Sequence, residues 1–208
     1  MGTKKYRLTG NHINIGNRIL YQIEALKDFG NVKAGDLGGY IESEKNLSQY
    51  DNAWVYGNAE VYGNAQVFGN ACVFDNARVY NDARVYGNAQ VFDNARVYGN
   101  ACVFDNAWVY GNALVYDNAQ VYGDAKVYGD AEIKSTKDYI VFKNWWSSGR
   151  YFTWTRSNNM WKVGCFYGTG EELIKKAYND SKESGREYER VVRYVEEILE
   201  ENYENKEN

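Results

Sequence analysis

Proline is absent from the 208-residue sequence, and histidine occurs only once, at His12. Cysteine occurs three times, at Cys72, Cys102 and Cys165, without a Cys-x-x-Cys pair. One imidazole and three scattered thiols do not supply the ligand sets typical of zinc sites. An odd number of cysteines also favours reduced thiols over a disulfide framework. The composition therefore predicts a protein without a metal site and without a cofactor.

Long apolar runs and basic domains are missing as well. No stretch approaches the roughly 20 apolar residues of a membrane-spanning helix, and the start of the chain does not follow a signal-peptide pattern. The net charge of -4 divides into +2 over residues 1–49 (7 minus 5), -6 over 50–133 (4 minus 10) and 0 over 134–208 (13 minus 13). No segment has the basic excess of a nucleic-acid-binding domain. We expect a soluble cytoplasmic protein that binds neither membranes nor nucleic acid.

The sequence is rich in one six-residue unit. Fourteen consecutive units of the form aromatic-Gly/Asp-Asn-Ala-x-Val run from Tyr50 to Ile133 without an insertion. Ala and Val are two residues apart and point to the same side of an extended segment, whereas x and the following aromatic residue point to the other side. Gly or Asp followed by Asn supplies a corner, because these residues tolerate positive φ. The unit predicts a coil with an Ala/Val interior and an aromatic exterior.

Three such units make a triangular coil of eighteen residues. The 14 × 6 = 84 repeat residues then give about 4.7 coils and a length of roughly 22 Å. Residues eighteen apart should stack, so that the x positions form three outward columns. These columns are Trp54, Cys72, Gln90, Trp108 and Lys126; Glu60, Arg78, Arg96, Leu114 and Glu132; and Gln66, Arg84, Cys102 and Gln120. Cys72 and Cys102 lie on different sides and should not pair.

The repeat resembles the left-handed hexapeptide parallel β-helix. Units of that family carry an aliphatic residue and a small residue four positions later, as Val55 and Ala59 do here. The chain departs from the family in having Tyr or Phe after the aliphatic residue. The predicted fold is mainly β: a left-handed parallel β-helix over residues 50–133, an N-terminal β cap over 1–49 and a small C-terminal α+β domain over 134–208.

The two flanking segments give separate predictions. In the cap, Lys5–Leu8 and Ile19–Ile23 are predicted strands, and residues 35–41 lead onto the first coil. The C-terminal domain is predicted to be β-β-β-α-α, with strands over 139–146, 151–156 and 160–166. Capping-box patterns at Thr169–Glu172 and Ser184–Glu187 predict the starts of the two helices. The last residues, Glu204–Asn208, are expected to fray.

Hexapeptide β-helices are often enzymes, and the resemblance implies which catalytic or metal-binding residues such an enzyme would have. The related acyltransferases use a histidine base near a loop that interrupts the repeat, and the γ-class carbonic anhydrases use three histidines. This chain has only His12, outside an uninterrupted repeat. Aspartates alternate with glycine at one corner position, which favours a turn-forming role; they include Asp75, Asp93, Asp105 and Asp117. We therefore predict a protein that is not an enzyme.

Two surfaces are candidates for binding. The first consists of the outward aromatic columns, which stabilise neighbouring strands and also offer a protein interface or a homo-oligomer contact. The second is the segment 134–168, with six basic residues, one acid and four tryptophans. The predicted binding residues there are Arg150, Tyr151, Trp154, Arg156, Trp161 and Lys162. Trp and Arg are typical of interface hot spots and of base-stacking surfaces, although two or three of the four tryptophans are expected in the core of so small a domain.

Most of the chain resembles small bacteriophage and prophage proteins described as hexapeptide or polymer-forming cytoskeletal-like. The resemblance rests on Ile23–Ser48, on the repeats and on Ser147–Gly170. It implies a phage origin, and phage proteins of this size often bind and disable a host factor, including defence systems. We therefore expect a non-enzymatic, homo-oligomeric protein that binds and inhibits a host protein in the bacterial cytoplasm. The alternatives are a nucleotide-sequestering sponge and a self-assembling scaffold.

Overall fold

The computed structural model describes residues 4–204. Its first elements are β1 (Tyr6–Ile15), β2 (Arg18–Ala25), β3 (Leu37–Ile41) and a 3-10 turn (Glu44–Asn46). Fourteen two-residue strands follow, one in each repeat: β4 (Trp54–Val55), β5 (Glu60–Val61), β6 (Gln66–Val67), β7 (Cys72–Val73), β8 (Arg78–Val79), β9 (Arg84–Val85), β10 (Gln90–Val91), β11 (Arg96–Val97), β12 (Cys102–Val103), β13 (Trp108–Val109), β14 (Leu114–Val115), β15 (Gln120–Val121), β16 (Lys126–Val127) and β17 (Glu132–Ile133). The last elements are a 3-10 turn (Thr136–Asp138), β18 (Tyr139–Lys143), β19 (Tyr151–Thr155), β20 (Met160–Val163), β21 (Phe166–Gly168), α1 (Gly170–Asp180) and α2 (Lys182–Glu204).

These elements divide into two compact units. The first extends to Ile140 and also includes Thr155–Asn158. The second contains Val141–Trp154 and the described residues from Asn159 onward.

The repeats of the first unit form a β-solenoid of about five turns. Each short strand pairs in parallel with the strand eighteen residues away, as Val55 does with Val73 and Val67 with Val85. Three parallel arrays result, in the orders β4-β7-β10-β13-β16, β5-β8-β11-β14-β17 and β6-β9-β12-β15. The three predicted columns of x residues are therefore confirmed. Cys72 and Cys102 lie in different arrays and are unpaired.

The interior consists of the Ala and Val positions, as predicted. Every repeat alanine from Ala53 to Ala131 and every closing Val or Ile from Val55 to Ile133 is buried. Alanine suits one of the two inward positions because a triangular coil leaves little room at its centre. Two of the outward x residues, Trp54 and Glu60, are nevertheless buried. Trp54 packs edge-on against Phe29, with the ring centroids 5.3 Å apart, because the N-terminal strands cover this coil.

The corners depend on residues with positive φ. This position is glycine in most repeats and Asp or Asn in the others, for example Asp75 at 59° and Asn81 at 61°. A β-carbon added at Gly87 would lie 2.9 Å from the backbone nitrogen of Asp105, which explains why several corners use glycine. An aspartate carboxylate can instead accept from the corner amide of the next coil, as Asp93 Oδ2 does from Gly111 N at 3.0 Å. The turn-forming role predicted for these aspartates is confirmed.

Asparagine side chains connect the coils along each corner. Along two of the corners, the Nδ2 of each Asn donates to the Oδ1 of the residue eighteen positions later. Along the third corner the ladder is interrupted after Asp82. At one corner this gives Asn52 to Asn70 to Asn88 to Asn106 to Asp124, with N···O distances of 3.0–3.4 Å. The last member can be an aspartate because it only has to accept. Amide ladders of this kind add side-chain hydrogen bonds between stacked coils.

The N-terminal end of the solenoid needs hydrogen-bond donors. Within the repeats, a backbone N–H donates to a carbonyl of the next coil, so the carbonyls of the first coil need donors from outside the repeats. Tyr40 N donates to Ala59 O at 2.9 Å, and the buried amide of Asn46 donates to Ala65 O at 2.9 Å. The buried amine of Lys5 donates to Ala53 O at 2.8 Å. The strand β3 also pairs in parallel with β5, so the solenoid begins before the first repeat.

The C-terminal end needs acceptors instead, because the last amides have no further coil. The hydroxyl of Tyr139 accepts from Tyr122 N at 3.3 Å, and the hydroxyl of Ser157 accepts from Glu132 N at 2.7 Å. The Oδ2 of Asp138 accepts from Lys134 N at 2.8 Å. The two ends are therefore covered by side chains of opposite hydrogen-bonding character.

The N-terminal strands extend beyond their predicted bounds. β1 and β2 form an antiparallel hairpin, and the ladder is interrupted between Leu8 and His12. Gly10 and Asn11 therefore belong to an irregularity inside β1 and are not part of a turn. The turn is Gly16-Asn17, with Gly16 at a φ of 58°.

The C-terminal sheet has four antiparallel strands, in the order β18-β19-β20-β21, and the prediction of three strands is wrong. Gly164, with a φ of 55°, turns the chain inside the segment predicted as one strand. The capping box of Thr169 and Glu172 at the start of α1 is confirmed. The helix α2 begins before the predicted Ser184, because Ser181 Oγ accepts from Ser184 N at 3.0 Å. Of the residues expected to fray, Glu204 ends α2 and the others lie outside the described part of the chain.

Candidate functional site

The loop between β18 and β19, residues 144–150, carries the most exposed large aromatic side chain among those described in the second unit. Asn144 fixes this loop: its Oδ1 accepts from Ser147 N at 2.9 Å and from Ser147 Oγ at 3.0 Å. Its Nδ2 donates to the hydroxyl of Tyr188 in α2 at 2.9 Å. Asn144 is only 4% exposed, so these bonds are shielded from water. The backbone also closes the loop, because Asn144 N donates to Arg150 O at 2.8 Å.

The fixed loop presents Trp145 to solvent. Trp145 is 73% exposed, and Tyr151 at the start of β19 is 41% exposed. The amine of Lys143 lies 5.7 Å from the centroid of the Tyr151 ring, which is a cation–π contact. Arg150 is exposed between these residues in the sequence. We call Lys143, Trp145, Arg150 and Tyr151 the Trp145 patch.

Two predicted binding residues lie in the core. Trp154 and Trp161 are 1% and 2% exposed, and the indole N–H of Trp154 donates to Asn159 Oδ1 at 2.8 Å. Trp161 packs against Phe152 with the ring centroids 6.1 Å apart. A small sheet needs large side chains to fill its core, and these two tryptophans have that role. They are therefore removed from the candidate surface, and the expectation that at least two tryptophans are core residues is confirmed.

The other predicted residues occupy different positions. Arg150 and Tyr151 lie on the Trp145 patch. Arg156 belongs to the first unit, is half-buried, and its backbone N–H donates to Asp138 O at 2.8 Å. Lys162 is half-buried on β20. The sequence interpretation missed Asn144, although an Asn three residues before a Ser in a predicted turn is a signal for a side-chain-closed loop.

Stacked rings cover the three walls of the solenoid. On one wall, Tyr62, Tyr80, Tyr98 and Tyr116 stack face to face, with centroid distances of 5.0–5.1 Å and interplanar angles of 3–5°. The second wall has Phe68, Tyr86, Phe104 and Tyr122 at 4.8–5.2 Å. The third has Phe74, Phe92 and Tyr110 at 4.6–4.7 Å. Because most of these rings are half-buried by their own neighbours, cross-strand stabilisation is their evident structural role.

The stacked tyrosines give the solenoid a dependence on alkaline pH. Burial raises the pKa of Tyr62, Tyr80 and Tyr98 above the usual value for a phenol. Above about pH 10 the folded chain therefore holds more protons than the unfolded chain, and the free energy of unfolding should fall as the pH rises further. We expect Tyr80→Phe with Tyr98→Phe to make this loss shallower, because two titrating groups are removed and the stack is kept. Urea unfolding measured from pH 7 to 11 checks this, and an equally steep loss in the variant would contradict it.

Neither a metal cluster nor a membrane helix is found in the described part of the chain. Within residues 4–204, no group of three His, Cys, Asp or Glu side chains is placed to hold a metal ion. The helices of that range are too short or too polar to cross a bilayer.

The fold and the repeat define the class of protein: the chain is a β-solenoid of hexapeptide-like repeats. The family model described as the YdcK beta solenoid repeat matches residues 77–93, 89–103, 95–110 and 107–123. All four matches lie in the solenoid. No curated protein matches the chain. Proteins built from β-solenoid repeats are usually structural or binding proteins.

Proposed function

We propose that this chain is a non-catalytic binding protein that engages a protein partner through the Trp145 patch. The observation that carries the proposal is the exposure of Trp145 on a loop that Asn144 holds in place. The ring of Trp145 touches Trp146 edge-on but leaves most of its surface in water, and a partner that covers it would bury that apolar area.

The fixed loop favours binding in a second way. Ordering a mobile loop costs free energy on association, and the bonds of Asn144 to Ser147 and Tyr188 remove much of that cost before the partner arrives. Two exposed basic residues, Lys143 and Arg150, lie at the two ends of the loop that carries the ring. The partner surface that complements the patch is therefore acidic, with an apolar pocket for the indole.

The sequence resemblance to phage and prophage proteins supports a proposal for the source of the partner. We propose that the partner is a protein of the bacterial host, in its cytoplasm, and that binding inhibits it. A role without catalysis is supported by His12, whose exposed ring lies on β1 with Nδ1 at 3.2 Å from Gly10 O. No carboxylate or thiol is within hydrogen-bonding distance of this imidazole among the described residues.

The experiment is a capture from bacterial lysate followed by titration of the identified partner. Trp145→Ala is expected to weaken binding by about 30-fold or more, since truncation of a tryptophan hot spot costs about 2 kcal/mol or more. Arg150→Ala should weaken binding less and reduce its salt dependence. Tyr50→Ala is the matched control, because Tyr50 is an 80% exposed aromatic residue of the first unit. All three variants should melt at the wild-type temperature.

Two outcomes would redirect the proposal. The interface would instead lie on the solenoid if Trp145→Ala binds the partner as the wild type does and a variant of stacked tyrosines, such as Tyr80→Ala with Tyr98→Ala, does not. Release of the partner by a free nucleotide would instead favour the sponge, in which Trp145 and Tyr151 stack on a base.

A further inference from the structure

One wall of the solenoid has an incomplete aromatic stack. Its ring positions begin at Tyr56 and continue with Phe74 and Phe92, and Phe74 stacks on Phe92 at 4.7 Å and 3°. Tyr56 does not stack on Phe74. Its ring lies edge-on to Trp54, with centroids 6.5 Å apart, as the ring of Tyr110 does to Trp108 at 6.4 Å. On one other wall the first pair, Tyr62 and Tyr80, is stacked, whereas Tyr50, the first ring of the remaining wall, is 80% exposed and does not stack on Phe68. One face of Phe74 therefore lacks the ring that the repeat would place there.

A cleft of about 380 Å³ lies at this break. It is lined by Tyr56, Gly57, Cys72, Phe74, Asp75 and Gln90. Cys72 is the small member of its column, between Trp54 and Gln90, and it leaves space that the other two side chains would fill.

The corner beside the cleft is also wider than its equivalents. A β-carbon added at Gly57 would lie 3.8 Å from the nearest backbone atom of the next coil. The same distance is 3.0 Å at Gly63 and 2.9 Å at Gly87, Gly99 and Gly111. The missing ring contact and the wider corner are two independent signs of an opening at the same place.

The surroundings of the cleft select the charge of a ligand. Asp75 lines the cleft and is exposed; its Oδ2 accepts from Asp93 N at 3.4 Å, and its Oδ1 is the oxygen available to a ligand at the rim. The repeats carry a net charge of -6 (4 basic minus 10 acidic residues over 50–133). The faces of Phe and Tyr rings also attract cations. A flat ligand ring that stacks on Phe74 continues the spacing of the aromatic stack. A positive charge on the ligand is attracted by both Asp75 and the faces of the aromatic rings.

We propose that this cleft is a binding site for a planar aromatic cation, whose ring stacks on Phe74 in the place that a stacked Tyr56 ring would occupy. The site lies on the solenoid and does not depend on the function proposed for the Trp145 patch. A neutral or anionic ring of the same shape lacks the attraction of Asp75 and binds more weakly.

The test uses proflavine as a planar aromatic cation and fluorescein as a planar anion. Fluorescence anisotropy should show one-to-one, saturable binding of proflavine and much weaker binding of fluorescein. Phe74→Leu should weaken proflavine binding by about tenfold or more, and Asp75→Asn by about threefold or more. Phe104→Leu and Asp105→Asn are the matched controls, because the pair Phe104-Asp105 has the same place in a repeat of another wall, where the ring is stacked on both faces. These controls should stay within about twofold of the wild type.

Each contrary result overturns the proposal. No saturation by about 1 mM proflavine would do so, as would equal binding of fluorescein. Equal losses in Phe74→Leu and Phe104→Leu would show that the dye binds stacked rings in general. Asp75→Asn changes an exposed side chain and should fold. It therefore tests the site even if Phe74→Leu fails to fold, because unchanged proflavine affinity in Asp75→Asn would refute the site.

Discussion

Val91→Asp is expected to lower the free energy of unfolding by about 4 kcal/mol or more, which places it among the most damaging single substitutions. Val91 is fully buried and stacks between Val73 and Val109 inside the solenoid. A carboxylate there has no partner and no access to water, because the neighbouring inward positions are Ala and Val. Urea unfolding followed by circular dichroism measures the loss.

Gln90→Asp is the matched control, since it introduces the same carboxylate at the adjacent residue of the same strand. Gln90 faces outward and is half-buried, so the new charge remains hydrated. The expected loss is less than about 1 kcal/mol. Equal losses from the two substitutions would show that the assignment of inward and outward positions is wrong.

Lys5→Met is the second substitution with a large expected effect, about 2 kcal/mol in free energy of unfolding. The side chain of Lys5 is buried and its amine donates to Ala53 O at 2.8 Å and Tyr50 O at 3.1 Å. Methionine keeps most of the apolar stem but leaves both carbonyls without a donor at the end of the solenoid. Lys4→Met removes an exposed ion pair with Glu44 at 2.6 Å and should cost less than about 0.5 kcal/mol. A larger loss in Lys4→Met than in Lys5→Met would contradict the capping role.

The same amine gives Lys5→Met a pH signature. Burial lowers the pKa of Lys5 to about 8, against an opposing attraction from Asp51. Between about pH 8 and 10.5 the unfolded chain therefore holds more protons than the folded chain, and this group adds stability as the pH rises. The wild-type protein should gain stability relative to Lys5→Met across that window. A constant difference between the two proteins would indicate that the amine is not desolvated.

The repeat made the solenoid predictable, because each unit specifies its own corner and its own inward residues. The failures occur where distant parts of the chain meet a repeat. The x position of Trp54 has nearly the same local sequence as the half-buried Trp108. Its burial depends on residues of the N-terminal segment, among them Tyr6, Phe29 and Gly38. Such contacts leave no mark in the local pattern.

The candidate site was predictable in composition but not in exposure. The strand β19 is buried from Phe152 to Thr155, so alternation along it cannot distinguish an inward Trp154 from an outward one. Trp145 follows a strand by two residues, and its exposure depends on the bond from Asn144 to Tyr188, 44 residues away. Residue types alone therefore indicated a Trp/Arg surface without identifying which tryptophan it displays.

The opposite hydrogen-bonding character of the two solenoid ends limits how its length can change. Near-identical repeats invite slipped recombination, which removes or duplicates whole units. A change of eighteen residues restores every column, so Lys5 and Asn46 still meet free carbonyls and Ser157 still meets a free amide. A change of six or twelve residues rotates one end by one third or two thirds of a turn and presents these side chains to the wrong wall. The solenoid can therefore change its length only by whole coils of three units, each of which adds about 4.8 Å.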